Sequence, residues 1–181
     1  MKRIETDRLI LRTFCYRDVS AVYDYAKRDD VGPKAGWRPH KNKKETKRII
    51  KNFIEKDDVY AIVLKESNQV IGSIGVHYTT IGSLGQVYEL GYVLHPKHHR
   101  QGLMSEAVDQ VLNYFFFGQK HDKIYVGHFI DNKASEMLIK KHGFKWVEDI
   151  DYKSRDYGLK QSKIYQLTQI DYAFNKTRGK Q

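Results

Sequence analysis

The chain has 181 residues, with 32 Lys and Arg against 22 Asp and Glu and a formal charge of +10 at pH 7. That length suits one domain able to bury a real core, and 40% hydrophobic with 13% aromatic residues excludes a disordered chain. A mean hydropathy of -0.66 and the lack of an apolar run of about 18 residues exclude a membrane helix, so a soluble protein is expected.

The basic excess points to anionic partners such as a ribosome- or RNA-rich setting. Met1-Lys2-Arg3-Ile4-Glu5-Thr6 is charged and lacks the apolar centre of a secretory signal, which makes the cytoplasm the expected compartment. Arg8 to Thr13 reads as a first strand. Cys15 is the only cysteine, so no internal disulfide forms, in keeping with a reducing compartment; nothing around it marks a nucleophile. Asp18 offers an N-cap, and Val19, Val22, Tyr25 and Ala26 recur at helical spacing. From Asp29 to His40, the punctuation of Gly32, Pro33, Gly36, Trp37 and Pro39 predicts a loop. Asn42 and Glu45 then resemble a capping box, and Ile49, Ile50, Phe53 and Ile54 form an apolar stripe opposite Lys43, Lys44, Lys47, Arg48 and Lys51.

Val59 to Leu64 and Val70 to Val76, joined by a polar turn, predict an antiparallel hairpin. Gly72, Gly75 and Gly91 inside strands predict bulges or close backbone approaches. After a loop at Thr80 to Gly85, Tyr88 to Leu94 continues the meander. A helix follows Gly102, with Met104, Ala107, Val108, Val111, Leu112, Phe115 and Phe116 on one face and Gly118 at its end. Lys123 to Phe129 is the next strand, so one parallel pairing with a right-handed crossover is expected. Asp131 or Asn132 caps a short helix that stops at His142-Gly143. Phe144 to Ile150 and Ser162 to Ile170 read as closing strands around a charged connection from Asp151 to Lys160. The pattern is one mixed α/β layer structure.

The chain is organised around Tyr88 to Ala107, where a strand feeds a helix through a basic glycine loop. Free loop amides and the positive end of a helix dipole favour an anion, and Arg100 adds formal charge, so a phosphorylated ligand is expected there. His95, His98 and His99 crowd together, but no Cys, Asp or Glu joins them locally and Pro96 separates the first two; no metal site is expected.

Four segments in register carry a resemblance: Thr6-Asp7-Arg8-Leu9-Ile10-Leu11-Arg12, Glu89-Leu90-Gly91-Tyr92 with Pro96, Gly102-Leu103-Met104-Ser105-Glu106-Ala107, and Asn132, Ser135, Lys141, Gly143 and Phe144 in an N-x-x-S…K-x-G-F pattern. Together they resemble the GCN5-related N-acetyltransferase (GNAT) superfamily, and within it the branch named for ribosomal-protein alanine and serine N-acetyltransferases. The resemblance implies a single α/β domain over 1–172, with a mixed, mostly antiparallel twisted sheet of roughly six to seven strands and about four helices. Residues 173–181 are then a basic, flexible tail. The superfamily loop is commonly Q/R-x-x-G-x-G/A; here His99 takes its first position and Met104 its last, changes that a loop working through backbone amides accommodates.

What the resemblance implies about chemistry is transfer of an acetyl group from acetyl-CoA, with no metal, to a primary amine by direct attack. Arg100, Gln101, Gly102, Leu103, Met104 and Ser105 are the pyrophosphate cradle. Val93, Leu94 or His95 supplies backbone N–H groups to the oxyanion, because preorganised donors need no reorganisation as charge develops. Glu89 is the expected general base, directly or through water; pairing with a structural partner is the competing role. Asn132 places the pantetheine arm, caps its helix, or does both. Many members carry a Tyr as general acid where this chain has Ile139; Ser135 is ranked first for that role, ahead of Tyr125 and Tyr92, with water as the remaining source.

The acceptor is expected to be the N-terminal amine of a protein, with a ribosomal protein as the leading case. A polyamine, amino acid or antibiotic is the alternative, and a non-catalytic CoA- or RNA-binding module ranks last. The Gly32–His40, Thr79–Gly85 and Asp151–Lys160 segments are the expected walls of the acceptor pocket, with Trp37 as one wall or as a buried anchor. Homodimers are common in the superfamily and no membrane partner is expected.

Overall fold

Leu9 and Leu11 project to one face of a sheet and are fully buried, as the period of two in β2 (Leu9–Thr13) requires. They belong to a computed structural model that describes residues 1–154 and 156–178. Strand β2 pairs antiparallel with the short β1 (Ile4–Glu5). Asp18 stands at the N-cap of α1 (Val19–Ala26) without capping it. Its carboxylate instead accepts from Arg12 Nη1 and Nη2, both at 2.8 Å, and from the Cys15 N–H at 2.8 Å. Helix α2 (Lys43–Lys56) starts as the sequence predicts, with Asn42 Oδ1 accepting the Glu45 N–H at 3.0 Å. Glu45 closes back on the Lys41 N–H at 2.7 Å. Ile50 is fully buried while Lys43, Lys44, Lys47, Arg48 and Lys51 stay exposed.

Strands β3 (Val59–Leu64), β4 (Gln69–Ile81) and β5 (Gly85–Leu94) form the meander. β4 runs to Ile81, so the loop expected at Thr80 to Gly85 shrinks to a tight turn at Gly82–Leu84. Two of the strand glycines mark close approaches. A Cβ on Gly72 would lie 2.3 Å from the Val93 carbonyl oxygen, and one on Gly75 would lie 2.5 Å from that of Asp58.

Helix α3 (Leu103–Asn113) runs on through a π-helical turn at Tyr114–Gly118 and returns as β6 (Lys123–Phe129), parallel to β5. Helix α4 (Lys133–Lys141), strands β7 (Lys145–Ser154) and β8 (Gly158–Thr168), and helix α5 (Gln169–Arg178) complete the described chain. The sheet order is β1-β2-β3-β4-β5-β6-β8-β7. Among the described residues there are eight strands and five α-helices, one or two more strands and one more helix than expected.

The added strand is β1, whose two residues are too few to show a period, and the closing elements depart from expectation for physical reasons too. The charged Asp151–Lys160 connection is mostly strand, because β7 and β8 form a long hairpin at the sheet edge, where polar residues on both faces hide the period of two. Lys160 covers Phe129 and Tyr157, with Nζ 4.6 Å and 5.1 Å from their ring centres. The last expected strand ends at Thr168, where α5 begins; Tyr172 docks that helix by donating to the Asp109 carbonyl at 2.9 Å. Residues 173–178 of the basic tail belong to α5, and Lys180 lies outside the described residues.

One face of the sheet packs Leu90, Leu94, Ile124 and Val126 against the buried side of α3, with Ile139 of α4 and Tyr172 of α5. The other packs Val59, Ala61 and Val63 against Val22, Tyr25 and Ile50 of α1 and α2. No helix of the described residues is long and apolar enough to cross a membrane.

Candidate active site

β5 and β6 are registered at Glu89 opposite Tyr125. Beyond that point β5 stays with β4 as far as Leu94, whereas β6 follows β8 as far as Phe129. The parting strands open a cleft of about 1300 Å³ lined by Glu89, Tyr92, Leu94, His128, Asn132 and Ser135 among others. Ladder geometry decides which amides face it. The His95 N–H donates to the Ile71 carbonyl at 2.7 Å, so alternation along an antiparallel ladder turns Val93 toward β4 as well and Leu94 toward the gap. The Leu94 carbonyl confirms the direction by accepting from His99 Nε2 at 3.0 Å.

The cradle forms at the start of α3. Gly102 is the N-cap, at φ +77°, and has no side chain to satisfy the first turn. The first α-helical bond runs from the Glu106 N–H to the Gly102 carbonyl at 3.0 Å, which leaves the Leu103, Met104 and Ser105 amides without helical acceptors. Asn42 and Asn132 cap their helices with side chains; α3 is left open for an anion. Arg100 is also left-handed, at φ +59°, a conformation uncommon outside glycine. A clamp from the turn between β1 and β2 holds the loop. Arg8 donates through Nε to Glu106 Oε2 at 2.7 Å and through Nη1 to the Gln101 carbonyl at 2.9 Å, and Thr6 donates to the same carboxylate. Partial burial raises the Glu106 carboxyl, but these hydrogen bonds outweigh it and hold its pKa low.

Among the described residues two carboxylates line the cleft. Asp30 is paired with Arg28 at 2.8 Å. Glu89 has no hydrogen-bond partner among the described residues, and burial, opposed only by the charge of His77, raises its pKa above the ordinary carboxylate value. Across the strand, Tyr92 reaches the other side of the sheet, where its hydroxyl lies 2.7 Å from Ser135 Oγ. Burial pushes the Tyr92 phenol up to about 12, against its hydrogen bond with Ser135, so it is protonated at neutral pH.

Comparison with known proteins fixes the family. The model of the acetyltransferase (GNAT) domain matches residues 8–145. The chain belongs to the GNAT acetyltransferase family. It is 31% identical over 147 residues to YoaA of Bacillus subtilis, an uncharacterised N-acetyltransferase, covering 78% of this chain and 82% of that one. A GNAT-family acetyltransferase from Bacillus anthracis has the same fold, with a TM-score of 0.82 at 22% identity over 93% of this chain and 99% of that one. So does a ribosomal-protein-S5-alanine acetyltransferase from Vibrio fischeri, at 0.76 and 16% over 95% and 99%. The protein is an acetyl-CoA-dependent N-acetyltransferase.

In this GNAT domain the expected site residues separate into two groups. Glu89, Val93, Leu94, Arg100, Gly102, Leu103, Met104, Ser105, Asn132 and Ser135 line the cleft. Gln101 and His95 do not. The Gln101 side chain folds back to the Lys97 carbonyl at 3.1 Å. His95 is buried, with Nδ1 accepting the Lys97 N–H at 3.1 Å and Nε2 facing Asp24 at 3.3 Å. Since its amide is bound to Ile71, His95 is not free to donate to an oxyanion. The three histidines of the loop do not converge: His99 turns to Leu94 and His95 to Asp24. Among the described residues no group of His, Cys, Asp and Glu side chains is placed to hold a metal ion.

Asn132 both caps α4, accepting the Ser135 N–H at 3.2 Å, and donates to the Lys34 carbonyl at 3.3 Å, tying the Gly32–His40 loop to the cleft. Ile139 is in the core. Lys34 and Trp37 of the Gly32–His40 segment and Tyr152 of the Asp151–Lys160 segment line the cleft, whereas the Thr79–Gly85 segment does not reach it; Ser83 there donates to Glu148 at 3.1 Å. His77 is a lining residue that sequence reasoning missed; its only signal is positional, since it stands across the hairpin from Glu89.

Proposed function

We propose that this N-acetyltransferase works by direct attack of a primary amine on acetyl-CoA, with Glu89 as the base and the N-terminal amine of a protein as acceptor. The observation that carries the reading is an unpaired, half-buried carboxylate at the apex of the β5–β6 splay. Glu89 takes a proton from the acceptor ammonium, directly or through water, and its raised pKa brings it closer to the working pH, where a base is most effective. The freed nitrogen bonds to the thioester carbonyl carbon. The developing oxyanion accepts from the Leu94 N–H, a donor fixed in the strand beforehand. The C–S bond then breaks as the nitrogen gives up its second proton, which passes through the Tyr92–Ser135 hydroxyl pair or water to the departing thiolate. The amides of Leu103 to Ser105, with Arg100 beside them, suit the pyrophosphate of acetyl-CoA.

Two features support a protein N-terminus. An α-amine, with a pKa of about 7.7–8.0 against about 10.4 for Lys, asks little of a carboxylate base. The exposed cationic face of α2 suits approach to an RNA-rich surface such as the ribosome. The test is a turnover screen across N-terminal peptides, polyamines and aminoglycosides, comparing wild type with Glu89→Gln. Release of CoA thiol that requires a peptide with a free N-terminus is the expected result. Turnover confined to small amines would replace the acceptor and leave the role of Glu89 in place; acetyl-CoA binding without turnover on any amine would overturn the reading.

A further inference from the structure

Glu89 has company at the acceptor end of the cleft. His77 of β4 is its direct partner in the antiparallel register, so the two side chains leave neighbouring strands on the same face. His77 Nδ1 lies 2.9 Å from Oδ2 of Asp58, the residue just before β3. An ionised carboxylate only accepts, so Nδ1 must carry the hydrogen, and in the neutral ring Nε2 keeps its lone pair. That atom lies 3.5 Å from where a Cβ would sit on Gly91. The ring therefore lies beside Gly91, inside the cleft and next along β5 from Glu89 on that face.

Asp58 is held for this task at a cost. Its carbonyl accepts the Val76 N–H at 3.2 Å, and the absence of a side chain on Gly75 allows that close approach. Its Oδ1 is buried without a hydrogen-bond partner, an arrangement that stability alone disfavours. An unsatisfied buried oxygen whose twin orients a cleft histidine is the arrangement of a positioning carboxylate. The ionisable groups around His77 are Asp58, from the turn before β3, and Glu89 from β5. Tyr152 of β7 stands close enough to Glu89 that its phenol is raised by burial and then by that charge.

We propose that Asp58 and His77 form the proton outlet of the acceptor site. Asp58 fixes the Nδ1–H tautomer, and Nε2 receives from Glu89 the proton taken from the acceptor ammonium, directly or through one water. The imidazolium then releases it to solvent, which the side chain reaches at 40% exposure. One proton moves at each step, no electrons change hands, and Glu89 is returned ready for the next turnover. The outlet rests on the reading of Glu89 as the base.

Two measurements test it. Long-range proton–nitrogen NMR of the neutral imidazole in the full-length protein needs no acceptor. It should find His77 as the Nδ1–H tautomer and find that state lost in Asp58→Ala; an Nε2–H tautomer in wild type would overturn the proposal whatever Glu89 does. Kinetically, kcat/KM for the amine turned over should fall at low pH with a limiting slope of about two, and in His77→Asn with a slope of about one. That variant should also lose about 10-fold in kcat with KM for acetyl-CoA unchanged. Wild-type kcat and slope in His77→Asn would sink the outlet alone. Full activity in Glu89→Gln would instead remove the base, a different failure.

Discussion

The phenol oxygen of Tyr92 lies 2.7 Å from Oγ of Ser135, joining β5 to α4 across the cleft. Neither residue stands at the superfamily's tyrosine position, which Ile139 occupies in the core. In the proposed mechanism the pair is a shared proton source in which each hydroxyl orients the other. Tyr92→Phe and Ser135→Ala should each lower kcat by about 10-fold, less than full acid catalysis supplies because a thiolate leaves readily. The double variant should be no worse than either single one, since residues acting as a unit are not additive. Single-turnover rates with saturating acetyl-CoA check this, and additive losses would separate the two hydroxyls.

Glu89 sits where a carboxylate is poorly solvated, and its raised pKa carries a sign for stability as well as for rate. The unfolded chain ionises this group more readily than the folded one, so wild type loses stability as pH rises through the unfolded value. Glu89→Gln should therefore raise Tm at pH 7, leave it nearly unchanged at pH values below the ordinary carboxylate range, and lower kcat by about 100-fold. Thermal melts at the two pH values, run beside the kinetics, decide it; a lower Tm at pH 7 would indicate a structural partner for this carboxylate.

Arg8, just before β2, reaches both Glu106 and the Gln101 carbonyl. As a largely exposed ion pair it should add no more than about 1 kcal/mol to stability. Its effect should appear in the geometry of the loop. Arg8→Ala should raise the Kd for CoA about fivefold, roughly 1 kcal/mol, with kcat at saturation nearly unchanged. Calorimetric titration with CoA measures this directly, and an unchanged Kd would show that the loop holds its shape without the clamp.

Asp18 is buried on two Arg12 nitrogens and the Cys15 amide. Burial raises its carboxyl, but Arg12 and the amide prevail and the folded pKa is depressed. A depressed carboxylate stabilises the fold above its unfolded pKa, and that contribution is lost as pH falls through the folded value. Asp18→Asn should cost up to about 3 kcal/mol at pH 7, the low end for a broken buried pair because Arg12 keeps access to water. The difference from wild type should shrink in acid; denaturant midpoints at pH 7 and at acidic pH test it.

Much of the architecture was legible because periodicity is a local property. The apolar stripe from Met104 to Phe116, the Asn42 cap and the alternation in β2 each need only their own neighbours. The outer half of the β7–β8 hairpin and α5 escaped, the first because its residues are polar at the sheet edge, the second because it gains stability from distant partners: Tyr172 from Asp109, and Gln169 from the Phe116 carbonyl at 2.7 Å. The site divides along the same line. Glu89 and the Gly102 loop were readable from the order of segments, whereas the standing of His95 depends on which way its amide points in the ladder.

From the sequence alone follow the succession of strands and helices, the glycine entry to α3, the basic surface and, by resemblance, acetyl-CoA. These depend on residues close together in the chain, where backbone geometry and hydrophobic period act directly. Only the tertiary structure decides that Leu94 rather than His95 turns its amide to the gap, that Tyr92 meets Ser135, and that Asp58 holds His77 beside Gly91. Each of these depends on strand register and on the splay of β5 from β6, where a slip of one residue would turn every side chain to the opposite face.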